Sequence, residues 1–373
     1  MKPEGISQDL ISFENKHQSM KIVGLIVAAL IICTACKQVP KYEFKYNEPE
    51  QQGFSSEKLE TLKFHLEESG ASSMMLLVNG EVIFNWGDTK RKHTIHSIRK
   101  CLLNSLYGIA VSEGLIDTTL TLRALGIEDN EPGLTENELN ARIIDLLKSR
   151  SGIYHNAAAV SESMLRGMPE RGSYQPGEHY YYNNWDFNVL GAILEEKTGK
   201  SIYELFLEQI AIPLGMHDYL GRYATIDAEQ EGVEVPDTDG FYQYERSKSN
   251  YPAYHFRMSA RDLALYGQLY LQKGQWKGKQ IVPADWIEVS TYPWSVYNPQ
   301  YRLARGMLWG VVLANEEGEV NSFYHTGAGI HMLGVYPASG LVLVHRVETE
   351  NDFDYRGDDL YKMIELVFDA KSE

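Results

Sequence analysis

The stretch HTIHSIRKCLLNS, residues 93–105, places Ser97 and Lys100 three residues apart at the opening of an apolar segment. The segment predicts a long helix, on which residues three apart share a face, so the two side chains would meet. A serine hydroxyl becomes a nucleophile when a base takes its proton. A lysine acts as that base when burial lowers its pKa from about 10.4 toward neutrality, and apolar neighbours favour such burial. At the helix N-terminus, the backbone N–H of Ser97 would also face a developing oxyanion.

The Ser-x-x-Lys pattern also fits a serine that caps a helix, followed by a lysine at the surface. A second patch, Tyr182-Asn183-Asn184, bears on this choice because it stands just before a predicted helix in a tyrosine-rich segment. A tyrosine hydroxyl beside a lysine is either held as a phenolate or relays protons, and an asparagine amide can hold a substrate carbonyl. The simpler interpretation of this patch is an aromatic packing surface.

A third patch, His325-Thr326-Gly327-Ala328, ends a predicted strand. The backbone at the edge of a sheet can line a cleft, and Gly327 would permit a substrate to approach closely. An ordinary turn after a strand explains the same residues. Combined with the first two patches, this one favours a site in which Ser97 attacks an acyl carbon.

The composition indicates a globular protein whose charge opposes binding to nucleic acid. The 373 residues are 43% hydrophobic, which is enough for one large core or for two lobes that share an interface. The 51 acidic and 35 basic residues give a net charge of −16, and no local run of lysines and arginines offsets it. We therefore expect no nucleic-acid partner.

The N-terminal segment predicts export. MKIVGLIVAALIIC, which starts at Met20, contains an apolar run too short to span a bilayer comfortably. The segment that ends at Cys36 resembles a bacterial lipobox, in which the peptide is cleaved before a cysteine that then carries lipid. Residues 1–36 would be an upstream extension and a lipoprotein-type signal peptide, with Met20 as the true start. An ordinary cleaved signal peptide or a single-pass anchor fits the same run. We expect a protein on the periplasmic side of a bacterial membrane, anchored by lipid at Cys36.

The segment after this predicted signal, residues 37–54, contains two prolines, three glutamines and Gly53, and it predicts a linker. Beyond the export segment only Cys101 remains. The mature body therefore has no internal disulfide and no thiolate metal cluster, so its stability must come from the core.

The remaining chain, residues 55–373, predicts an α+β fold. Apolar runs flank the Asn79-Gly80 turn in the pattern of a β-hairpin, and strands return near the C-terminus. We expect an antiparallel sheet formed from both chain ends, residues 55–96 and 291–373, flanked by helices. Residues 97–290 would form an inserted, mainly helical lobe, and the cleft between the two parts is the default site.

With these patches in order, the chain resembles the serine hydrolases of the β-lactamase and penicillin-binding-protein superfamily, in particular those related to class C β-lactamases. These families carry Ser-x-x-Lys, then Tyr-x-Asn, then Lys-Thr-Gly or a His-x-Gly variant. The resemblance extends from Phe54 to the C-terminus and includes four further segments, LLKSRSGIYH, PGEHYYYNN, IPLGMHD and SARDLALYGQLYL. It implies a β-lactamase/transpeptidase-like fold, Ser97 as the acylated nucleophile, and Lys100 with Tyr182 as the proton-transfer pair.

The resemblance also implies how substrate is held. Asn184 would position the substrate carbonyl, while His325 and Thr326 would bind the acyl or carboxylate side of the substrate. Gly327 completes this box, and the backbone N–H of Ala328 would form the oxyanion hole together with that of the nucleophile. No metal or cofactor is required.

Two departures from the β-lactamase pattern bear on the substrate. His325 stands where a lysine is usual, so a fixed cation is replaced by an imidazole that is largely neutral at pH 7. This argues against efficient β-lactam hydrolysis and favours linear amides, as in 6-aminohexanoate-dimer hydrolase, or esters. Asn183 replaces the usual serine between Tyr182 and Asn184, which should alter one hydrogen bond.

Four other residues have weaker claims to the site. Tyr154 lies on a loop that borders the cleft in this superfamily, so it is a candidate for substrate contact, with loop packing as the alternative. Arg99 should face another side of the helix as a structural ion-pair partner. His93 and His96 suggest a metal, but no third ligand stands at suitable spacing.

The sequence therefore predicts an exported acyl hydrolase that acts on a small-molecule ester, amide or peptide. A D,D-carboxypeptidase or β-lactamase acting on peptidoglycan peptides or β-lactams is the alternative enzyme. The alternative from another class is a binding or sensor lipoprotein without hydrolytic activity. The sequence gives no indication of the oligomeric state.

Overall fold

Strands from both ends of the chain form one nine-stranded sheet in the computed structural model, which describes residues 40–315 and 320–372. Its order is β1-β3-β2-β15-β14-β13-β12-β11-β10. All neighbouring strands are antiparallel except β1 and β3, so the predicted antiparallel sheet built from both termini is confirmed. The strands are β1 Lys45–Tyr46, β2 Ser73–Val78, β3 Glu81–Gly87, β10 Ser295–Asn298, β11 Leu303–Arg305, β12 Gly310–Val312, β13 Ser322–Gly327, β14 His331–Tyr336 and β15 Leu341–Arg346.

The predicted hairpin joins β2 to β3. Asn79 and Gly80 both adopt left-handed backbone conformations, with φ of 50° and 86°, as a tight two-residue hairpin turn requires. β2 then pairs on its other side with β15, where Leu76 lies opposite Leu343. This pairing closes the N-terminal hairpin onto the C-terminal strands.

Helices cover both faces of the sheet. The terminal helices α1 and α11 share one face, where Leu62, Leu66 and Met363 pack into one hydrophobic core. On the other face α9 packs against β14 and β15 and joins the larger core. The helices are α1 Ser56–Ser69, α2 Arg99–Ser112, α3 Leu122–Leu125, α4 Ile143–Leu147, α5 Glu162–Gly167, α6 Asn184–Thr198, α7 Ile202–Phe206, α8 Ile212–Leu214, α9 Ala260–Leu271, α10 Ala284–Ser290 and α11 Gly357–Asp369.

The prediction of a mainly helical lobe over residues 97–290 needs two corrections. A second sheet of four strands, in the order β4-β7-β6-β5, crosses this region. α9 also belongs to the cover of the large sheet rather than to the lobe. β7, AYHFRM, does alternate apolar and polar residues, so a strand signal is present, but the strand is short and lies between helical segments, and the prediction overlooked it. The remaining strands are β4 His93–Thr94, β5 Tyr223–Asp227, β6 Gly240–Tyr244, β7 Ala253–Met258, β8 Gln275–Trp276 and β9 Lys279–Gln280.

The predicted linker over residues 37–54 is wrong for its described C-terminal part. β1 pairs with β3, and Phe54 is 1% exposed and forms a bridge with Lys371 near the C-terminus. Aromatic residues in this segment, Tyr42 and Phe44 among them, pack against the core, which the prolines and glutamines of the sequence obscured. The folded unit therefore begins near Lys41.

The predicted signal peptide, with Cys36, lies outside the described residues. Within residues 40–315 and 320–372, none of the helices has the length and apolar character needed to cross a bilayer.

Candidate active site

The predicted nucleophile and base meet at the start of α2. Ser97 lies in a short 3-10 turn, His96–Ile98, that runs directly into α2, so it precedes the helix instead of occupying its first turn as predicted. The spacing still brings the side chains together, and Lys100 Nζ donates a hydrogen bond to Ser97 Oγ over 2.8 Å. The same separation lets the hydroxyl donate to the amine once the amine is uncharged.

Burial of Lys100 favours the uncharged form of its amine. The residue is 1% exposed, and none of the described carboxylates lies within 4 Å of its Nζ. Nζ instead lies 4.8 Å from the ring centroids of both Tyr182 and Phe187. Burial, followed by the charges of Arg99 and Arg305, holds the Lys100 pKa well below its ordinary value. Lys100 thus has the property that a general base for Ser97 needs.

Tyr182 completes the proton-transfer group. Burial raises the pKa of its hydroxyl to about 12, although Arg305 and the nearby Ser97 hydroxyl act in the opposite direction. At neutral pH the hydroxyl is therefore protonated. Of the two roles open from the sequence, phenolate or proton relay, this environment favours the relay.

The third patch lies across the cavity from Tyr182. The ring centroids of His325 and Tyr182 are 6.4 Å apart. The Nδ1–H of His325 donates to the Thr326 carbonyl over 2.8 Å, which leaves Nε2 as a buried acceptor without a partner. Burial, with Arg305 and Lys100 nearby, holds the His325 pKa well below its ordinary value, so the imidazole is neutral. This fits the expectation that the position holds no fixed cation.

Gly327 has a different role from the one predicted. It does not line the cavity; a Cβ at this position would lie 2.4 Å from the carbonyl oxygen of Ile95. The missing side chain therefore lets β13 pack against the segment that leads into Ser97. Ala328 follows at the cavity wall, and both Ala328 and His96 adopt a left-handed conformation with φ of 48°. Strained backbone of this kind is concentrated at functional sites.

The two asparagines of the second patch have different roles: Asn183 is structural and Asn184 lines the cavity. Asn183 caps α6, because its side chain accepts from the backbone N–H of Trp185, and it donates to the Ile153 carbonyl over 2.6 Å. Asn184 lines the cavity; its amide nitrogen donates to the Ala159 carbonyl over 2.5 Å. Its amide oxygen is buried and has no partner, so it remains available to a substrate donor.

These groups surround a cavity of about 370 Å³, and its lining residues include no aspartate or glutamate. The lining consists of His96, Ser97, Arg99, Lys100, Ala159, Ser161, Met164, Tyr182, Asn184, His255, Arg305, His325, Thr326, Ala328 and Gly329. A second cavity of about 530 Å³ adjoins it and shares three of these residues, which are His96, Ala159 and His255. A larger hollow of about 660 Å³ elsewhere contains none of the predicted site residues.

Arg99, Arg305 and His255 are among the lining residues that sequence reasoning did not assign to the site. Arg99 was expected to form an ion pair, but no described carboxylate lies within ion-pair distance; its guanidinium lies 4.3 Å from the ring centroid of Tyr254. Arg305 and His255 also line the cavity, and neither ring nitrogen of His255 has a hydrogen-bond partner. Arg305 and His255 lie on strands far from Ser97 in sequence, where no local pattern marks them.

Tyr154 is not part of the cavity lining. Its ring packs edge-on against Tyr174 and Tyr181, and its hydroxyl is buried without a partner. This placement favours the alternative interpretation, loop packing, for Tyr154.

His93 and His96 are occupied by other contacts. His96 Nε2 lies 2.7 Å from the Thr349 hydroxyl, and His93 receives hydrogen bonds from Arg346. No three side chains of His, Cys, Asp or Glu are grouped as metal ligands in the described part of the chain.

The model of the Beta-lactamase family matches residues 67–367, more than half of the chain. The chain belongs to the β-lactamase family. This confirms the resemblance drawn from the sequence and identifies the fold as that of the family's serine hydrolases.

The chain is distantly similar to several individual proteins. It is 25% identical over 263 residues to an uncharacterized protein of Alkalihalophilus pseudofirmus, covering 67% of this chain and 71% of that protein. It is 24% identical over 211 residues to a candidate D-alanyl-D-alanine carboxypeptidase of Salmonella paratyphi A, covering 45% of this chain and 48% of that protein. The structure of a candidate 6-aminohexanoate-dimer hydrolase from Bacillus anthracis superposes with a TM-score of 0.63 at 17% identity, covering 88% of this chain and 87% of that one.

Proposed function

We propose that this protein is an exported serine hydrolase that cleaves an amide or ester through an acyl-enzyme. The observation that carries the proposal is the contact between Ser97 Oγ and the buried Nζ of Lys100, 2.8 Å apart, beside the protonated hydroxyl of Tyr182. A binding protein has no use for a serine held against an amine whose charge is suppressed. This favours a hydrolase over the sensor lipoprotein.

The proposed reaction has two halves. Lys100 takes the proton of Ser97 as Oγ forms a bond to the acyl carbon, and the backbone N–H groups of Ser97 and Ala328 stabilise the resulting oxyanion. The bond to the leaving group then breaks as that group receives the proton through Lys100 and Tyr182. In the second half a water molecule attacks the acyl carbon and gives one proton to the same relay. The relay passes that proton to Ser97 Oγ as the bond between Oγ and the acyl carbon breaks and the acid product leaves.

A linear amide or an ester is the favoured substrate class, because the neutral His325 supplies no fixed cation at the position usual in β-lactam hydrolysis. The similarity in fold to the Bacillus anthracis protein is consistent with this class. A D,D-carboxypeptidase is the second candidate; it is favoured by the similarity to the Salmonella protein, of which the chain spans about half the length.

Labelling with a fluorophosphonate probe tests the chemistry at Ser97. The wild-type protein should be labelled and S97A should not, while S105A should be labelled like the wild type. Ser105 is a suitable control because it is buried in α2, the helix that follows Ser97, but donates to the Leu102 carbonyl, outside the cavity. Equal labelling of S97A and the wild type would contradict the proposal, and so would no labelling of either. Hydrolysis of p-nitrophenyl esters, linear amide oligomers, D-Ala-D-Ala peptides and nitrocefin then ranks the substrate classes.

Export and lipidation at Cys36 form a separate part of the proposal, supported by the apolar run that follows Met20 and Lys21. Expression in a bacterium fed an alkyne fatty acid tests it. We expect the lipid label to enter the wild-type membrane fraction and to be lost in C36A. Lipid label that persists in C36A would contradict lipidation at this cysteine.

A further inference from the structure

The second cavity, of about 530 Å³, adjoins the cavity around Ser97. The two cavities share His96, Ala159 and His255 in their linings. Pockets that hold whole small-molecule ligands have volumes of about 300–1,000 Å³, so the second cavity is large enough for a substantial part of a substrate. A substrate that reaches Ser97 therefore has room to extend past these three shared residues.

One face of the four-stranded sheet forms the floor of the second cavity. Side chains two residues apart on a strand share a face, and so do partners on neighbouring strands. Phe241 of β6 lies opposite His255 of β7, and Gln243, two residues further along β6, lies opposite Ile226 of β5. All four residues line the cavity. The sheet thus presents this face to the cavity.

The loop between β5 and β6 supplies an apolar wall. Val233 and Val235 both line the second cavity, and each is 39% exposed. Glu234, which stands between them, is not part of the lining. Together with Ile226 and Phe241, the two valines give the cavity an apolar surface that is partly in contact with water. An apolar ligand group that covers this surface would be stabilised by the hydrophobic effect.

The carboxylate in the lining of the second cavity, that of Glu350, is already paired. Its two oxygens accept hydrogen bonds from Arg257 Nε and Nη2 over 2.8 Å each. Oε1 also accepts from the backbone N–H and the hydroxyl of Thr94 over 2.7 Å each. This paired carboxylate leaves no free charge for a ligand, so the cavity fits an uncharged group.

His255 has unused hydrogen-bonding capacity where the two cavities meet. It is 8% exposed, and neither of its ring nitrogens has a partner. Its ring stacks on Phe241, with centroids 4.6 Å apart. Burial holds the His255 pKa well below its ordinary value, so the imidazole is neutral and has one donor and one acceptor. Buried polar atoms without partners need an explanation, and a ligand that passes between the cavities provides one.

The position of the proton relay indicates which half of the substrate faces the second cavity. In the proposed reaction the leaving group receives its proton through Lys100 and Tyr182, so it must lie within their reach. Neither residue lines the second cavity, whereas both line the cavity around Ser97. The half of the substrate that extends into the second cavity is therefore the acyl half.

We propose that the second cavity binds the acyl part of the substrate, so that the enzyme selects amides or esters with an extended, uncharged and apolar acyl group. The inference rests on the proposed acyl-enzyme function and specifies its substrate class. Val233 and Val235 act as specificity-determining residues and have no part in the proton transfer.

Alkylboronic acids test this without knowledge of the natural substrate. Their boron bonds reversibly to an activated serine oxygen, so the alkyl chain takes the place of the acyl substituent. Butylboronic and octylboronic acid are compared by the concentration at which each halves the rate of fluorophosphonate labelling at Ser97. We expect octylboronic acid to protect the wild type at a concentration at least about tenfold lower, because four further methylene groups leave water.

The double variant V233D/V235D removes the apolar wall and places charges there. It should reduce the octyl preference to within about threefold and leave protection by butylboronic acid within about threefold of the wild type, since a charge opposes burial of the longer chain. V296D/V320D is the matched control. Val296 and Val320 are also exposed, and they line neither cavity, so this variant should keep the preference. Thermal denaturation should show that both variants are folded.

Three outcomes would overturn the proposal. One is a labelled wild type that octylboronic acid protects no better than butylboronic acid does, which includes protection by neither. Another is an octyl preference that survives in V233D/V235D. The third is an equal loss of preference in V296D/V320D, which would mean that added negative charge, and not the cavity wall, changes binding. No labelling of the wild type would overturn the acyl-enzyme proposal and this one with it, whereas labelling without an octyl preference overturns this one alone.

Discussion

Two arginines that are buried to the same degree have opposite surroundings. Arg346, with no exposed surface, donates to the carbonyl oxygens of Met258 and His93 over 2.8 Å each and to that of Thr94 over 3.1 Å. Arg99 is 2% exposed, yet its Nη1 has no partner. Arg346 thus ties β15 to β7 and β4, whereas Arg99 faces the cavity beside Ser97.

The difference separates scaffold from site. Buried polar groups of a folded protein are normally hydrogen-bonded, so each exception needs an explanation. Several exceptions lie on residues of the cavity around Ser97, namely polar atoms of Arg99, Asn184, His255, Arg305 and His325. Others, such as the Tyr203 hydroxyl and Trp309 Nε1, lie elsewhere in the fold, so we infer capacity for a ligand only where the unsatisfied atom belongs to a cavity residue.

K100M tests the proposed base of the cavity, a buried amine that is hydrogen-bonded to Ser97 but has no counter-ion among the described residues. If Lys100 is the general base, kcat/KM and the rate of labelling at Ser97 should fall about 10²- to 10⁴-fold. The free energy of unfolding should not decrease, because methionine fills a similar volume without a desolvated polar group. Steady-state kinetics and thermal denaturation measure the two effects. Activity within tenfold of the wild type would show that another group takes the proton.

R346M tests the scaffold arginine, whose hydrogen bonds are satisfied. The substitution leaves three carbonyl oxygens without donors, and each buried unsatisfied acceptor costs about 1–3 kcal/mol, so the free energy of unfolding should fall by at least about 3 kcal/mol. R99M is the control of equal size and burial. It should change that free energy by no more than about 1 kcal/mol, because it removes only a contact with an aromatic ring. Chemical denaturation compares the two variants, and equal losses would remove the distinction between scaffold and site.

The same contrast shows what the sequence could and could not predict. Ser97, Lys100 and Tyr182 could be identified because the first two are joined by helical spacing and all three stand in short motifs. The hairpin at Asn79-Gly80 could be predicted because its turn chemistry is local. The place of Arg305 in the cavity lining could not be predicted, since it depends on strands distant in sequence coming together.

The errors have the same origin. The segment that contains Phe54 was taken for a linker from its prolines and glutamines, but its aromatic residues are buried by parts of the chain distant in sequence. Gly327 was assigned to substrate approach, whereas the close contact is with Ile95, a residue more than two hundred positions away. Composition describes what a segment can do alone, and burial depends on what packs against it.

The pH dependence of R99M sharpens the comparison within the cavity. After burial, Arg99 is the next contributor that lowers the Lys100 pKa. Removing it should raise that pKa, so that the amine becomes protonated, and inactive as a base, at higher pH than in the wild type. The acid limb of the kcat/KM profile should therefore move to higher pH, with little change on the alkaline side. R99K, which keeps the charge, should behave like the wild type, and an unmoved limb in R99M would exclude this electrostatic role.

Y154F has the smallest expected effect and tests whether an unsatisfied buried group marks function by itself. The Tyr154 hydroxyl is buried without a partner, as the cavity groups are, but it lies outside the cavity lining. Removing it should leave kcat/KM within about twofold of the wild type and raise the free energy of unfolding by up to about 1 kcal/mol, since a desolvated hydroxyl is lost. Kinetics and denaturation on one preparation measure both. A large loss of activity would show that Tyr154 contacts the substrate after all. Unchanged activity would mean that an unsatisfied polar atom indicates function only where it also faces the space that a ligand can enter.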